Sequence, residues 1–212
     1  MKPNHISESV IDNQVISYFN SWKKDYLKDI TTSTGVSGFY ITADYTGSIP
    51  RQWPSGTDAL SQSEAHGYGM LIFVIMDDKS SFDGMNRIRK EFQSSIDPRF
   101  MQWLIPDSKN PSHSAGSATD GDMDMAYALL LAHNKWGEKK YLEEAIIIIE
   151  AIDEKLITNV NRVNFGDWQS TSTDKSRPSD WMTGHLKAYY LATDNNKWQT
   201  VTDNLYGLIN EI

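Results

Sequence analysis

Residues 65–76 read AHGYGMLIFVIM and residues 121–133 read GDMDMAYALLLAH. Both stretches are apolar around nearly their whole circumference, which predicts helices buried on every side. The segment that follows each one has a different pattern. Residues 82–93 place Phe82, Met85, Ile88 and Phe92 on one face, with Arg87, Arg89, Lys90 and Glu91 elsewhere, and residues 139–154 are apolar but flanked by Glu143, Glu144, Glu150, Asp153 and Glu154. These second helices are expected to face water on one side. A third pair continues the alternation: 180–192 (DWMTGHLKAYYLA) is rich in aromatics, and 196–210 repeats Trp198, Val201, Leu205 and Leu208 at spacings of three, four and three.

The three buried helices are expected to start near Glu64, Asp120 and Asp180, which lie 56 (120 − 64) and 60 (180 − 120) residues apart. A near-constant period without sequence identity between copies predicts repeated α-hairpins. Inner helices that touch neighbours on all sides and outer ones that meet solvent make a ring, so the chain is expected to be an all-α protein, an α/α toroid. A four-helix bundle fits less well, since its helices would all be equally amphipathic and would need no long connections before alternate helices. Ahead of the repeats, Ile11, Val15, Phe19, Trp22 and Tyr26 mark an amphipathic helix from 8 to 28. The Gly/Ser/Thr/Pro-rich stretch 31–62 reads as a long connection with a short hairpin around Phe39 to Tyr45.

The 212 residues are 39% hydrophobic and 23% charged, a composition that folds. No apolar run reaches the roughly 18 residues of a membrane span. With no cysteine there is neither a disulfide framework nor a thiolate nucleophile or metal ligand. Twenty basic against 28 acidic residues, a net charge of −8, argue against nucleic acid as a partner. The opening Met-Lys-Pro-Asn-His lacks the apolar core of a secretory signal, so either the protein stays inside the cell or its leader lies outside this sequence. Seven Trp and ten Tyr supply flat faces that can fill a core or stack on sugars.

Glu64, Asp120 and Asp180 are expected to converge on the face of the ring where the inner helices begin. Taken singly, each is explained as well by capping, since acids at helix starts satisfy free N–H groups. The surroundings favour chemistry. Gly67 and Gly69 in the first turns of a buried helix cost on the order of 1 kcal/mol each relative to Ala, so something must approach that backbone closely. Asp120, Asp122 and Asp124 place three carboxylates in five residues at the mouth of an apolar helix, where repulsion and burial raise pKa values.

Ser63-Glu64-Ala65-His66-Gly67-Tyr68-Gly69-Met70 resembles the SEGxGYGM motif of glycoside hydrolase family eight, and ATDGDMDMAYALLLA at 118–132 resembles that family's signature. Asn164 to Trp168 and Ser176 to Met182 are similar to two further stretches, in the same order. The opening Lys2-Pro3-Asn4-His5, Ser21 to Lys24 and Leu129 to His133 look most like bacillus-type chitosanases. The resemblance implies an (α/α)6 barrel and an inverting endo-hydrolase of β-1,4-linked glycans, with no cofactor. It implies Glu64 as the general acid and Asp120 as the residue that holds ring hydroxyls and helps position water. Tyr68, Trp103, Trp168 and Trp181 become candidate sugar platforms, and Asp122 and Asp180 candidate contacts to substrate. Trp22, Trp136 and Trp198 fall at amphipathic positions and are expected in the core. Asp44, Asp58, Asp107 and Asp122 are read along the cleft, and with the net charge they favour chitosan over β-glucan as substrate. The parent protein is expected to be bacterial and secreted.

Two departures stand out. The family pattern has Gly and Gln or Met where this chain has Ala65 and His66, and a protonated histidine there would oppose keeping Glu64 protonated. His113, His133 and His185 are far apart and show no metal-ligand spacing. The second departure is length: seven predicted helices match roughly the N-terminal three fifths of a twelve-helix ring. An inverting mechanism needs a second carboxylate roughly 6.5–9.5 Å from the acid, and the resemblance places it beyond Ile212, with Asp167, Asp174 and Asp180 the nearby acids. Such a chain is expected to leave two apolar flanks for a second chain or a C-terminal segment. The competing expectations are a non-catalytic glycan-binding fragment, and a structural toroid whose acids only cap.

Overall fold

A computed structural model describes residues 7–210. The Lys2 to His5 segment and Ile212 lie outside the described residues. The first helix, α1 (Glu8–Tyr26), runs directly into an antiparallel hairpin of β1 (Leu27–Thr31) and β2 (Ser37–Ile41), with Leu27 opposite Ile41 and Thr31 opposite Ser37. The hairpin therefore lies earlier than Phe39 to Tyr45. Ile30 continues the helical spacing of Phe19, Trp22 and Tyr26, but the chain turns into strand so that Gly38 can sit against the backbone of a later helix. A Cβ there would meet the Gly84 carbonyl oxygen.

Strand β3 (Ala59–Gln62) pairs with β4 (Leu104–Pro106), and β3 passes without a loop into α2 (Ser63–Ile75). Helix α3 (Lys79–Glu91) follows, then α4 (Thr119–Trp136) and α5 (Lys139–Ala151), which ends in a π-helical turn at Ile152–Leu156. Gly137, with φ +71°, caps α4 in the left-handed conformation that favours glycine. A 3-10 turn at Pro178–Asp180 precedes α6 (Thr183–Thr193) and α7 (Lys197–Ile209).

Six of the seven α-helices of the described residues pair as α2 with α3, α4 with α5 and α6 with α7, while α2 packs on α4 and α4 on α6. The inner row is thus α2, α4, α6, with one outer helix behind each. Met70, Phe73 and Val74 of α2 and Met123, Met125, Ala126 and Leu129 of α4 form the centre of the core. Trp198 is fully buried, and Trp22 and Trp136 pack against the core. The third inner helix is less enclosed than its aromatic content predicts. Only Leu186 and Tyr189 of α6 are fully buried, because α4 supports one flank and the other carries an apolar groove of about 500 Å³ between α6 and α7. At the opposite end of the row a groove of about 680 Å³ lies between α1 and α2, lined by Val15, Tyr18, Trp22 and Ile72. Among the described residues no helix is long and apolar enough to cross a membrane.

A polar tie joins α1 to the ring. Asp78 caps α3 through the Ser81 N–H and hydroxyl and accepts from Lys23 of α1. Burial raises the Asp78 pKa, but Lys23 and Ser81 outweigh it and hold the carboxyl below its usual value. Asp78→Ala is expected to cost about 1 kcal/mol, as lost caps do, read as a lower urea midpoint at neutral pH. A depressed carboxyl stabilises above its unfolded pKa and loses that contribution as pH falls through its folded value, so the difference should vanish in acid.

Candidate active site

The start of α2 is fixed from two sides. Pairing of Gln62 with Leu104 holds strand β3, and the Ser63 N–H donates to the Trp103 carbonyl at 2.9 Å. Glu64, the second helical residue, is thereby aimed into a cleft of about 470 Å³ lined also by Ile96, Trp103, Phe165, Trp168 and Arg177. Asp120 occupies the same position in α4, and the two helix starts cross in close contact. A Cβ on Gly121 would stand 2.7 Å from the Ser63 carbonyl carbon, and one on Gly67 would stand 2.7 Å from Asp124 Cβ and 3.1 Å from the Gly121 carbonyl oxygen. The close approach that Gly67 signals in the sequence is therefore to α4. Gly69 faces Ile41 and Met85 in the same way.

Neither acid stands at the N-cap position, but Asp120 Oδ1 takes up the free Gly121 N–H of the first turn at 3.0 Å. The residues that cap α2 and α4 are Gln62 and Ala118, and neither makes a side-chain capping bond. Burial pushes the Glu64 carboxyl above its ordinary value, and the charge of Asp120 pushes it further; the Ser63 hydroxyl and the Arg177 guanidinium oppose this without prevailing. Burial also raises Asp120, against the Gly121 N–H and Arg177, with Asp124 adding to the rise. Asp180 is raised by burial and by Asp120 in spite of Arg177 and Ser179. Charge thus couples Glu64 to Asp120 and Asp120 to Asp180, and the Arg177 guanidinium acts on all three.

Not every expected contact reaches the cleft. Asp180 is fully buried in the 3-10 turn, held by Arg177 Nε at 3.0 Å and Ser179 Oγ at 3.0 Å, so it orients Arg177 and does not meet solvent. Asp122 is buried on the far side of α4, where its Oδ1 accepts from the Met101 N–H at 2.9 Å. Two residues along a helix amount to about 200° of rotation, so Asp120 and Asp122 cannot face one cleft. Trp181 packs against the core with its indole N–H on Ser176 Oγ at 2.7 Å, a wall and not an open platform. Asp58 and Asp107 bind backbone N–H groups at the β3 and β4 ends. Asp174 is exposed, and Asp167 is engaged by backbone and hydroxyl donors.

Trp168 is 59% exposed and Trp103 half-buried in the cleft, the latter edge-on to Tyr45 at 5.5 Å. Tyr68 is exposed one turn below Glu64, and its hydroxyl is raised by burial and by the charges of Asp124, Asp120 and Glu64. His66 is fully buried, turned toward the Met85 carbonyl at 2.9 Å, and burial lowers its pKa to about 4. It is neutral at physiological pH and leaves the titration of Glu64 undisturbed. Among the described residues no group of three His, Asp or Glu side chains is placed to hold a metal ion. Sequence reasoning does not single out Arg177 or Phe165; the guanidinium stacks 5.0 Å from the Phe165 ring, and both residues lie inside the motif stretches that mark the site.

The arrangement suits acid catalysis on a chain of sugar rings: a carboxyl inclined to keep its proton, a second carboxylate beside it, and two indoles along the cleft. Comparison with known proteins points the same way. The profile of Glycosyl hydrolases family 8 matches residues 7–212. The chain is 43% identical over 216 residues to an endoglucanase of Bacillus sp. (strain KSM-330), covering 97% of this chain and 45% of that protein. It is 37% identical over 226 residues to a beta-glucanase of Niallia circulans, covering 100% and 51%. A solved beta-1,3-1,4-glucanase from Paenibacillus sp. X4 superposes with a TM-score of 0.81 at 37% identity, over 100% of this chain and 55% of that one. The chain spans about half the length of the curated relatives it matches.

Proposed function

Given that the chain belongs to glycosyl hydrolases family 8, we propose that it carries the acid half of an endo-acting β-glucanase cleft, within the (α/α)6 barrel of that family. Glu64 is the general acid that protonates the leaving glycosidic oxygen. Asp120 accepts from sugar hydroxyls and helps hold the attacking water, and Trp103 and Trp168 bear the sugar faces. The observation that carries this reading is the placement of Glu64, half-buried against Asp120 and open to a cleft walled by two indoles.

Inversion needs a carboxylate that activates water from the other side of the ring, roughly 6.5–9.5 Å away. Asp167 is occupied by its donors and Asp180 is sealed behind Arg177. We assign this base to a part of the domain outside residues 1–212, in keeping with this chain's coverage of about half the length of its relatives. Since a polymeric glucan does not cross a membrane, the whole protein acts outside its bacterial cell.

Net charge favours chitosan, but the named relatives are glucanases, and the cleft presents Arg177 beside its acids. A neutral β-glucan is the better match. The test is reducing-sugar release from barley β-glucan and from chitosan under the same conditions. The expected result is at least about tenfold preference for the glucan, the scale of one well-placed charge contact. Equal rates for the whole domain would sink the substrate assignment; the 212 residues alone, without the base, are expected to bind glucan oligosaccharides without turnover, and turnover by them would place the base within this segment.

A further inference from the structure

We propose that Asp167 is the positioning residue of the cleft wall: by clamping three loops together it sets both the Trp168 ring and the start of the helix that carries Asp120. Its Oδ1 accepts from the Ser117 N–H at 2.8 Å, and its Oδ2 accepts from the Asp97 N–H at 3.2 Å and from the Ser94 hydroxyl. In return, the Asp167 N–H donates to Ser117 Oγ at 3.2 Å. Residues 94–97, 116–118 and 166–168, remote in sequence, meet on this one carboxylate.

What these loops carry explains why the clamp matters. Ile96 and Trp168 project from two of them into the cleft, and Ser117 directly precedes Ala118, the N-cap of α4, with Asp120 three positions after the clamp. The contacts leave no room for side chains. A Cβ on Gly166 would come within 2.3 Å of the Ser117 carbonyl oxygen and 2.4 Å of Trp168 Nε1, and one on Gly116 would come within 3.0 Å of both Asp167 Oδ1 and Trp168 Cδ1. Two glycines thus let the backbones close around Asp167, with the Trp168 ring packed over them. The wall is tied further by the Trp103 N–H on the Gly116 carbonyl at 3.0 Å and the Thr119 N–H on the Phe165 carbonyl at 3.2 Å.

A carboxylate is suited to this place because it accepts several hydrogen bonds and donates none. An amide of the same shape turns a donor toward the Asp97 N–H or the Ser117 N–H, whichever way it is flipped. Asp167→Asn is therefore a minimal change in volume and a large one in hydrogen bonding. The functional consequence rests on the glucanase reading above, but the placement of the loops does not.

The test has two readouts. The first is amide hydrogen exchange at Asp97 and Ser117 in the wild-type chain and in Asp167→Asn, with the core amide of Val201 as reference. Exchange about tenfold faster at whichever of the two sites faces the amide NH2, at unchanged Val201, is the expected result, since a hydrogen bond to a charged group is lost there. Unchanged exchange at both sites would overturn the clamp. The second is binding of mixed-linkage β-glucan oligosaccharides, followed by tryptophan fluorescence, in Asp167→Asn, Trp168→Ala and the double variant. Affinity about tenfold weaker in Asp167→Asn, with the double variant no weaker than Trp168→Ala, shows that Asp167 acts through the indole. Independent, additive losses would contradict that route. If the wild-type chain binds no glucan, the functional reading falls, and the exchange experiment alone decides the clamp.

Discussion

Glu64→Gln is expected to lower β-glucan hydrolysis by the whole domain roughly 10²–10⁴-fold, the usual contribution of a positioned proton donor, with oligosaccharide affinity nearly unchanged. The amide keeps the size and polarity of the carboxyl but has no acidic proton for the glycosidic oxygen. The effect therefore falls on turnover and not on KM. The same substitution should stabilise the fold at neutral pH. Glu64 is raised in the folded state by burial and by Asp120, so its contribution is full below the unfolded pKa and is lost as pH rises through the folded value. Gln removes that loss, and a thermal melt at pH 7 should show Glu64→Gln at or above wild type while the two converge in acid. A variant equally impaired in stability and activity would show that Glu64 has a structural role.

Gly121→Ala is expected to destabilise the chain by about 1–3 kcal/mol, as overpacking of a filled interior does. It should also depress hydrolysis by roughly 100-fold through misplacement of the acid. The new methyl would lie 2.6 Å from Ser63 Oγ and 2.7 Å from the Ser63 carbonyl carbon. Backbone cannot yield as a flexible side chain does, so α2 and α4 must separate where Gly121 meets Ser63, one residue from both Glu64 and Asp120. Gly137→Ala is the control: nothing stands within 4 Å of a Cβ there, but its φ of +71° is unfavourable for alanine. It should lower the melting temperature without altering the pH dependence of activity, which Gly121→Ala should shift.

The alternation of buried and half-exposed helices was legible because α2 and α4 have neighbours on all sides, and hydrophobicity around the full circumference is the direct trace of that. The convergence of Glu64, Asp120 and Asp180 followed from the repeat. Their different roles did not, since nothing local shows that Pro178–Asp180 forms a separate 3-10 turn and buries Asp180 before α6 begins. Asp122 could have been excluded from the cleft by helical rotation relative to Asp120. The hairpin of β1 and β2 was displaced because Ile30 extends the helical spacing, while its strand partners are fixed by contact between Gly38 and Gly84, 46 residues apart (84 − 38). Arg177 and Asp167 are recognised only in three dimensions: one is a cation among acids, and the other gathers donors from loops up to 73 residues away.

The most direct test of Glu64 as the proton donor is the titration of its side-chain carboxyl, followed by carbon-13 NMR in the wild-type chain and in Asp120→Asn. The expected midpoint lies above the ordinary 4.5 and moves down when Asp120 loses its charge. A midpoint at or below 4.5, or one indifferent to Asp120→Asn, would contradict Glu64 as an acid held in its protonated form by this cleft.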